Sequence, residues 1–254
     1  MAPLNAVSQD AIDRLRKYTP PPTTYGDVPL SRRAAVLILL YADLHGDLRV
    51  VITIRAKTLS SCKADTLSET AFETARREAR EEIGLPDINQ TLPSPFAVEH
   101  LCELPANLAK TELVVRPCVA LLHSFDPATG MNADPETELI PRLDALHQFF
   151  VSNADHAVRP RSPGNQTQNA AVETLSRQEE SGQVPHYRVF GMTARMLVDA
   201  ARVAYARDPD FEHNSHFGDE EMISKLRRLG RLSEKRRPGE ELTRETMERA
   251  AKLS

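Results

Sequence analysis

Three glutamates fall within five residues of a stretch that otherwise alternates alanine with arginine, and that spacing is the strongest constraint on how the chain folds. Residues Arg77 to Leu85 read R-E-A-R-E-E-I-G-L. If this stretch is helical, Glu78, Glu81 and Glu82 stand in i, i+3 and i+4 relation and point to one side. Like charges so placed destabilise an isolated helix by roughly a few tenths of a kcal/mol. Something cationic must offset them. Carboxylates that converge without a basic partner suit a hard, oxygen-seeking ion, Mg²⁺ or Mn²⁺.

The local signals predict a helix over Leu67 to Ile83. Thr66 and Glu69 have the spacing of a capping box, and Gly84 followed by Pro86 supplies the stop. A projection at about 100° per residue puts Leu67, Ala71, Ala75 and Ala79 on one flank with Glu78 and Glu82 among them. Glu73, Arg76, Arg77 and Arg80 fall on the other flank, where Glu73 and Arg77 are placed to pair as on a solvated surface. Carboxylates that share a face with small apolar residues are costly unless paired, protonated or metal-bound. For Glu69 a capping role near the positive end of the helix dipole competes with any chemical one.

From Glu69 to Leu85 the pattern resembles the signature of the Nudix hydrolase family, in which a glycine and a glutamate precede R-E-aliphatic-x-E-E-x-G-aliphatic at set intervals. The resemblance implies a divalent-metal enzyme that cleaves the diphosphate of a nucleoside diphosphate linked to another group. It implies Glu78, Glu81 and Glu82 as metal ligands, one of them also a candidate base, with Glu69 and Arg77 as supporting members of the catalytic set. Two other stretches, L-S-R-R-A-A-V-L-I-L-L-Y from Leu30 to Tyr41 and Y-R-V-F-G-M-T-A-R-M-L from Tyr187 to Leu197, resemble the coenzyme A diphosphatase-like subgroup of fungal type. The substrates so implied are coenzyme A and its acyl esters, with other nucleoside diphosphate derivatives, oxidised nucleotides included, left open.

One part of the signature is missing. The glycine expected at position 63 is Lys63, and a glycine-rich block of about ten residues that leads into the helix in that subgroup is reduced to Lys63-Ala64-Asp65 after Cys62. The block was either lost or dropped by a misplaced splice junction. Glycines there permit positive φ and close approach of backbone to phosphate. The alternative reading is therefore a catalytically impaired Nudix-like protein that binds a nucleotide or coenzyme A.

Elsewhere the chain reads as an α/β protein, and the resemblance implies a Nudix-type α/β/α sandwich with a mixed sheet, the acidic helix on one side and a Met192 helix on the other. A helix from Ser8 through Tyr18 precedes Pro20-Pro21-Pro22. Strands are expected at Ala34 to Tyr41, Leu48 to Arg55, Phe96 to Leu104, Glu112 to His123 and His186 to Phe190, and a helix at Met192 to Ala206 with Met196, Leu197 and Val203 inward. Residues 1–30 form a lead-in and 31–206 the Nudix domain, with a mobile insertion at 152–185 that is rich in Ser, Pro, Gln and Asn. Residues 207–254 form a charged tail with surface helices around Met222 to Leu232 and Glu240 to Leu253. Glu136 and Glu138, in a polar loop, are candidates for a downstream base, although an ordinary solvated loop is the preferred reading.

At 254 residues with 41% hydrophobic content the chain can bury a sizeable core. A net charge of -4 and a pI near 6.1 argue against a nucleic-acid coat. The basic run from Arg227 to Arg237 is interleaved with Glu234 and lacks aromatics, so it reads as a solvated helix and no nucleic-acid partner is expected. No membrane partner is expected either, since the longest apolar run, Ala34 to Tyr41, is far too short to span a bilayer. Cys62, Cys102 and Cys118 are odd in number and lack C-x-x-C spacing, so they read as reduced thiols of an intracellular protein. The cytosol is the first expectation, with peroxisome and mitochondrion as alternatives. The sequence Ala251-Lys252-Leu253 approaches a peroxisomal tripeptide, but Ser254 displaces it. The partner is thus a small-molecule nucleotide or coenzyme A.

Overall fold

The architecture follows from two ten-residue apolar strands that no amphipathic surface element could accommodate. In a computed structural model that describes residues 2–52, 69–133, 135, 139, 189, 191–235 and 242–253, strand β1 (Arg33–Ala42) runs parallel to β5 (Val114–His123) at the centre of a mixed sheet. Near-continuous apolar runs belong in strands covered on both faces. β2 (Leu48–Val50) pairs antiparallel with the outer side of β1, and β3 (Ala97–Glu103) pairs antiparallel with β5, giving the order β2-β1-β5-β3. The short β4 (Asn107–Leu108) also pairs with β5.

Alternation along β1 sorts its side chains between two layers. Ala34, Ile38 and Leu40 join a core that includes Ile12 and Leu15 of helix α1 (Ala6–Lys17) and Met196, Ala200 and Ala204 of helix α3 (Gly191–Tyr205). Ala35, Leu39 and Tyr41 pack instead against helix α2 (Ala71–Ile83) through Ala71, Ala75, Ala79 and Ile83. The α/β/α sandwich expected from the sequence is thus present, with the acidic helix and the Met192 helix on opposite faces. Small residues on α2 let its backbone lie close to the sheet, which holds the helix and the side chains it carries in a defined orientation.

Several local expectations are corrected. Helix α1 is capped by Asn5, whose side chain accepts from Ser8 N at 2.9 Å; the buried Ser8 hydroxyl accepts from Leu48 N and so ties the helix to β2. Helix α2 starts four residues later than Leu67. Its capping box is Thr70 with Glu73: Thr70 Oγ1 accepts from Glu73 N at 3.2 Å, and Thr70 N donates to Glu73 Oε2 at 2.7 Å. Thr70-Ala71-Phe72-Glu73 repeats the T-x-x-E spacing of Thr66 to Glu69; Thr66 lies outside the described residues. Gly84 closes the helix at φ 78°, a left-handed conformation that suits a residue without Cβ.

The C-terminal helices are not confined to the surface. In α4 (Glu220–Arg228), Ile223 and Leu226 are fully buried beside Val114 and Cys118, as are Leu232 and, in α5 (Arg244–Ala251), Ala250. Polar bonds fasten the same segment. Glu220 accepts from Thr23 Oγ1 at 2.6 Å, Ala106 N at 2.9 Å and Arg116 Nη1 at 3.3 Å. Glu112, with no exposed surface, is bonded to Arg231 and faces Arg32 at 3.6 Å.

The strand expected at His186 to Phe190, the insertion at 152–185 and the loop around Lys63 lie wholly or largely outside the described residues. The expected β2 end at Arg55 does so too. Among the described residues no helix is long and apolar enough to cross a membrane.

Candidate active site on helix α2

Helix α2 presents its carboxylates along the flank next to the one that meets the sheet. Ala71, Ala75 and Ala79 are at most 8% exposed, while Glu78 is half-buried and Glu81 and Glu82 are exposed. Glu82 therefore sits farther from the apolar flank than the projection suggests. Arg76, expected on the solvated side, is 4% exposed: α2 lies close enough to the sheet to cover it, and its Nη2 donates to Pro86 O at 2.6 Å. Burial lowers its pKa, against the opposing influence of Asp87. Arg80 alone of that flank's arginines is well exposed, paired with Asp87 at 3.0 Å.

The cation that offsets the glutamates is a residue of the helix itself. Arg77 Nε donates to Glu69 Oε1 and Oε2, each at 3.2 Å, and Arg77 Nη1 donates to Glu78 Oε1 at 2.9 Å and Glu81 Oε1 at 3.4 Å. The expected Glu73–Arg77 pair does not form, because Glu73 completes the cap. Burial would lower the Arg77 pKa, but the hydrogen bonds it donates to Glu78 and Glu69 outweigh it, and the guanidinium sits above its ordinary value. Glu69 is also reached by Thr74, whose fully buried hydroxyl donates to Oε2 at 3.2 Å. Thr74 occupies an unspecified position of the signature, so sequence spacing alone offers no reason to single it out.

The five expected site residues thus divide. Glu69, Arg77, Glu78 and Glu81 are brought together in one hydrogen-bonded group; Glu82 follows on the exposed end of the same flank. Their donor chemistry, carboxylate oxygens on a rigid element, fits a hard divalent ion. Among the described residues, however, no three His, Cys, Asp or Glu side chains converge closely enough to hold one, since Arg77 lies among them. Glu136, Glu138 and Lys63 lie outside the described residues.

No family model matches the chain. It is 37% identical over 131 residues to a peroxisomal coenzyme A diphosphatase of Saccharomyces cerevisiae, a match covering 46% of this chain and 38% of that protein. It is 31% identical over 192 residues to the chloroplastic Nudix hydrolase 22 of Arabidopsis thaliana, covering 71% of this chain and 58% of the relative. The mitochondrial Nudix hydrolase 15 of the same plant is 30% identical over 189 residues, covering 71% and 61%. The matches therefore span between 38% and 61% of these relatives' lengths. With R-E-A-R-E-E-I-G-L carried on a helix against a mixed sheet, the chain is similar to Nudix hydrolases, a coenzyme A diphosphatase among them.

Proposed function

We propose that this chain hydrolyses the diphosphate bond of coenzyme A, its acyl derivatives or related nucleoside diphosphate compounds, with Mg²⁺ or Mn²⁺ held by Glu78, Glu81 and Glu82. The observation that carries the reading is the gathering of Arg77, Glu78 and Glu81 of helix α2 with Glu69, which precedes it. A divalent cation there supplies positive charge against the diphosphate oxygens and acidifies water in its shell. The chain's own part is to present carboxylates at fixed spacing, to limit their mutual repulsion through Arg77, and to provide one glutamate as the base for the attacking water. From coenzyme A the products are an adenosine bisphosphate and a phosphopantetheine. The relatives' names place those proteins in peroxisome, chloroplast and mitochondrion, and for this chain we propose an intracellular site of action.

Purified protein incubated with coenzyme A and Mg²⁺ or Mn²⁺ is expected to form both products, to stop when chelator is added, and to lose turnover by orders of magnitude in Glu82→Gln. Full metal-dependent hydrolysis by Glu82→Gln would remove the ligand assignment. Lys63 in place of glycine favours a second reading, a nucleotide or coenzyme A binder without turnover. Thermal stabilisation by coenzyme A with no product would support it.

A further inference from the structure

We infer that Ser233 is a phosphorylation site for a serine kinase that reads cations on both sides of its target, and that the phosphate loosens the seating of the C-terminal helices on the sheet. Among the described residues Ser233 alone of the serines and threonines has a basic residue both two positions before it and two after, in Arg231-Leu232-Ser233-Glu234-Lys235. Residues two apart in an extended chain point to the same side. A cleft lined with carboxylates would therefore meet Arg231, Ser233 and Lys235 together. Ser233 and Lys235 are exposed, and the Ser233 hydroxyl donates to Lys235 O at 3.2 Å, a local bond that gives way when the stretch extends.

The backbone here favours local opening. Leu232 stands at φ 58°, a left-handed conformation that is costly for a residue with a branched side chain, and Gly230 precedes it at 73°. Leu232 is held there by its own side chain, 2% exposed in a core shared with Val114 and Ala75, and by Arg32 Nε, which donates to Ser233 O at 3.0 Å. A strained turn with so few ties opens at lower cost than the central strands. In the open form the Ser233 hydroxyl attacks the terminal phosphorus of a nucleoside triphosphate. The Oγ–P bond forms, the bond from that phosphorus to the leaving nucleoside diphosphate breaks, and the hydroxyl proton passes to a base of the kinase.

The phosphate then enters a contest for Arg231. It carries a charge of about −1.5 to −2 near neutral pH, and it stands two residues from Arg231, whose bond to the buried Glu112 anchors the segment after α4. Arg231 is partly exposed while Arg32 and Glu112 are buried, so Arg231 is the cation of the cluster that can turn outward. As it does so, the segment that carries Ile223, Leu226 and Leu232 loses an anchor. These three side chains share a core cluster with Ala71 and Ala75, so the modification reaches the helix that carries the spaced glutamates.

The test incubates full-length wild type, Ser233→Ala and Lys235→Ala with the catalytic domain of protein kinase C, a serine kinase that prefers basic substrates, and γ-labelled ATP. Label is measured in the whole protein and located by mass spectrometry of its peptides. Wild type is expected to carry it at Ser233, Ser233→Ala to lose most of it, and Lys235→Ala to take it up about tenfold more slowly, the scale of one charge-assisted bond. No label in wild type, or as much in Ser233→Ala, overturns the site, and an undiminished rate in Lys235→Ala overturns the recognition from both sides. Amide exchange at Ile223 and Leu226 is expected to be faster in the labelled protein than in the unlabelled one, with Val119 unchanged. Equal exchange before and after labelling overturns the loosening.

Discussion

Arg77 Nε lies 3.2 Å from each carboxylate oxygen of Glu69, a residue that precedes helix α2 and stands outside its cap. This bond folds the incoming chain onto the flank where Glu78 and Glu81 project. The capping box that starts α2 is formed just after Glu69, by Thr70 and Glu73.

Arg77→Met should remove the guanidinium that the partly buried Glu69 and Glu78 share. Charge-assisted hydrogen bonds contribute about 1.5–3 kcal/mol each when lost, and the partial exposure of the group argues for the lower end. Urea unfolding near neutral pH is expected to report a loss of about 2 kcal/mol. An unchanged midpoint would mean that solvent compensates the group fully.

Thr70→Ala removes the hydroxyl that accepts from Glu73 N, and the cap is expected to contribute about 1 kcal/mol to stability. Thermal unfolding should show a lower midpoint with the cooperative transition retained. If Thr70→Ala matched wild type, the box would be dispensable and the start of α2 would be held by sheet packing alone.

Glu112→Gln breaks a charge cluster in which Glu112 and Arg32 are buried and Arg231 is partly exposed. Removing one partner of a buried ion pair leaves the other charge uncompensated and costs about 3–5 kcal/mol. Because Arg231 follows α4, the first consequence should be local opening of residues 219–235. Faster amide hydrogen exchange at Ile223 and Leu226 than at Val119 would register it, and uniform exchange across the three would contradict it.

Glu99 is held below its ordinary value of 4.5, first by the Arg16 hydrogen bond and then, after the opposing effect of burial, by His123. A carboxylate whose folded pKa is lowered adds stability above its unfolded value, and that stability is lost as pH falls through the folded one. Unfolding midpoints measured from about pH 5 down to about pH 2 should therefore drop more steeply in wild type than in Glu99→Gln. Parallel acid limbs would show that the group titrates alike in both states.

Sequence alone determined the elements whose signals are local. The apolar runs of β1 and β5 mark strands covered on both faces, the alanine stripe with Gly84 marks α2 and its end, and the spaced glutamates carry the resemblance to Nudix hydrolases. The resemblance of Tyr187 to Leu197 located the helix that tertiary packing sets on the far side of the sheet. Tertiary structure decided what depends on neighbours distant in the chain. Two T-x-x-E boxes are equivalent by spacing, and the helix begins at the second, Thr70 with Glu73. Arg76 and Arg77 are adjacent and alike in sequence, yet the closeness of α2 to the sheet buries one against Pro86 O and turns the other onto three carboxylates. The tail reads as solvated because its charges outnumber its apolar residues, but a few fully buried side chains, Ile223, Leu226 and Leu232, suffice to seat it in the core. Periodicity records which residues share a face; which face finds a partner, and which charge wins a contested carboxylate, is settled only when the chain has closed on itself.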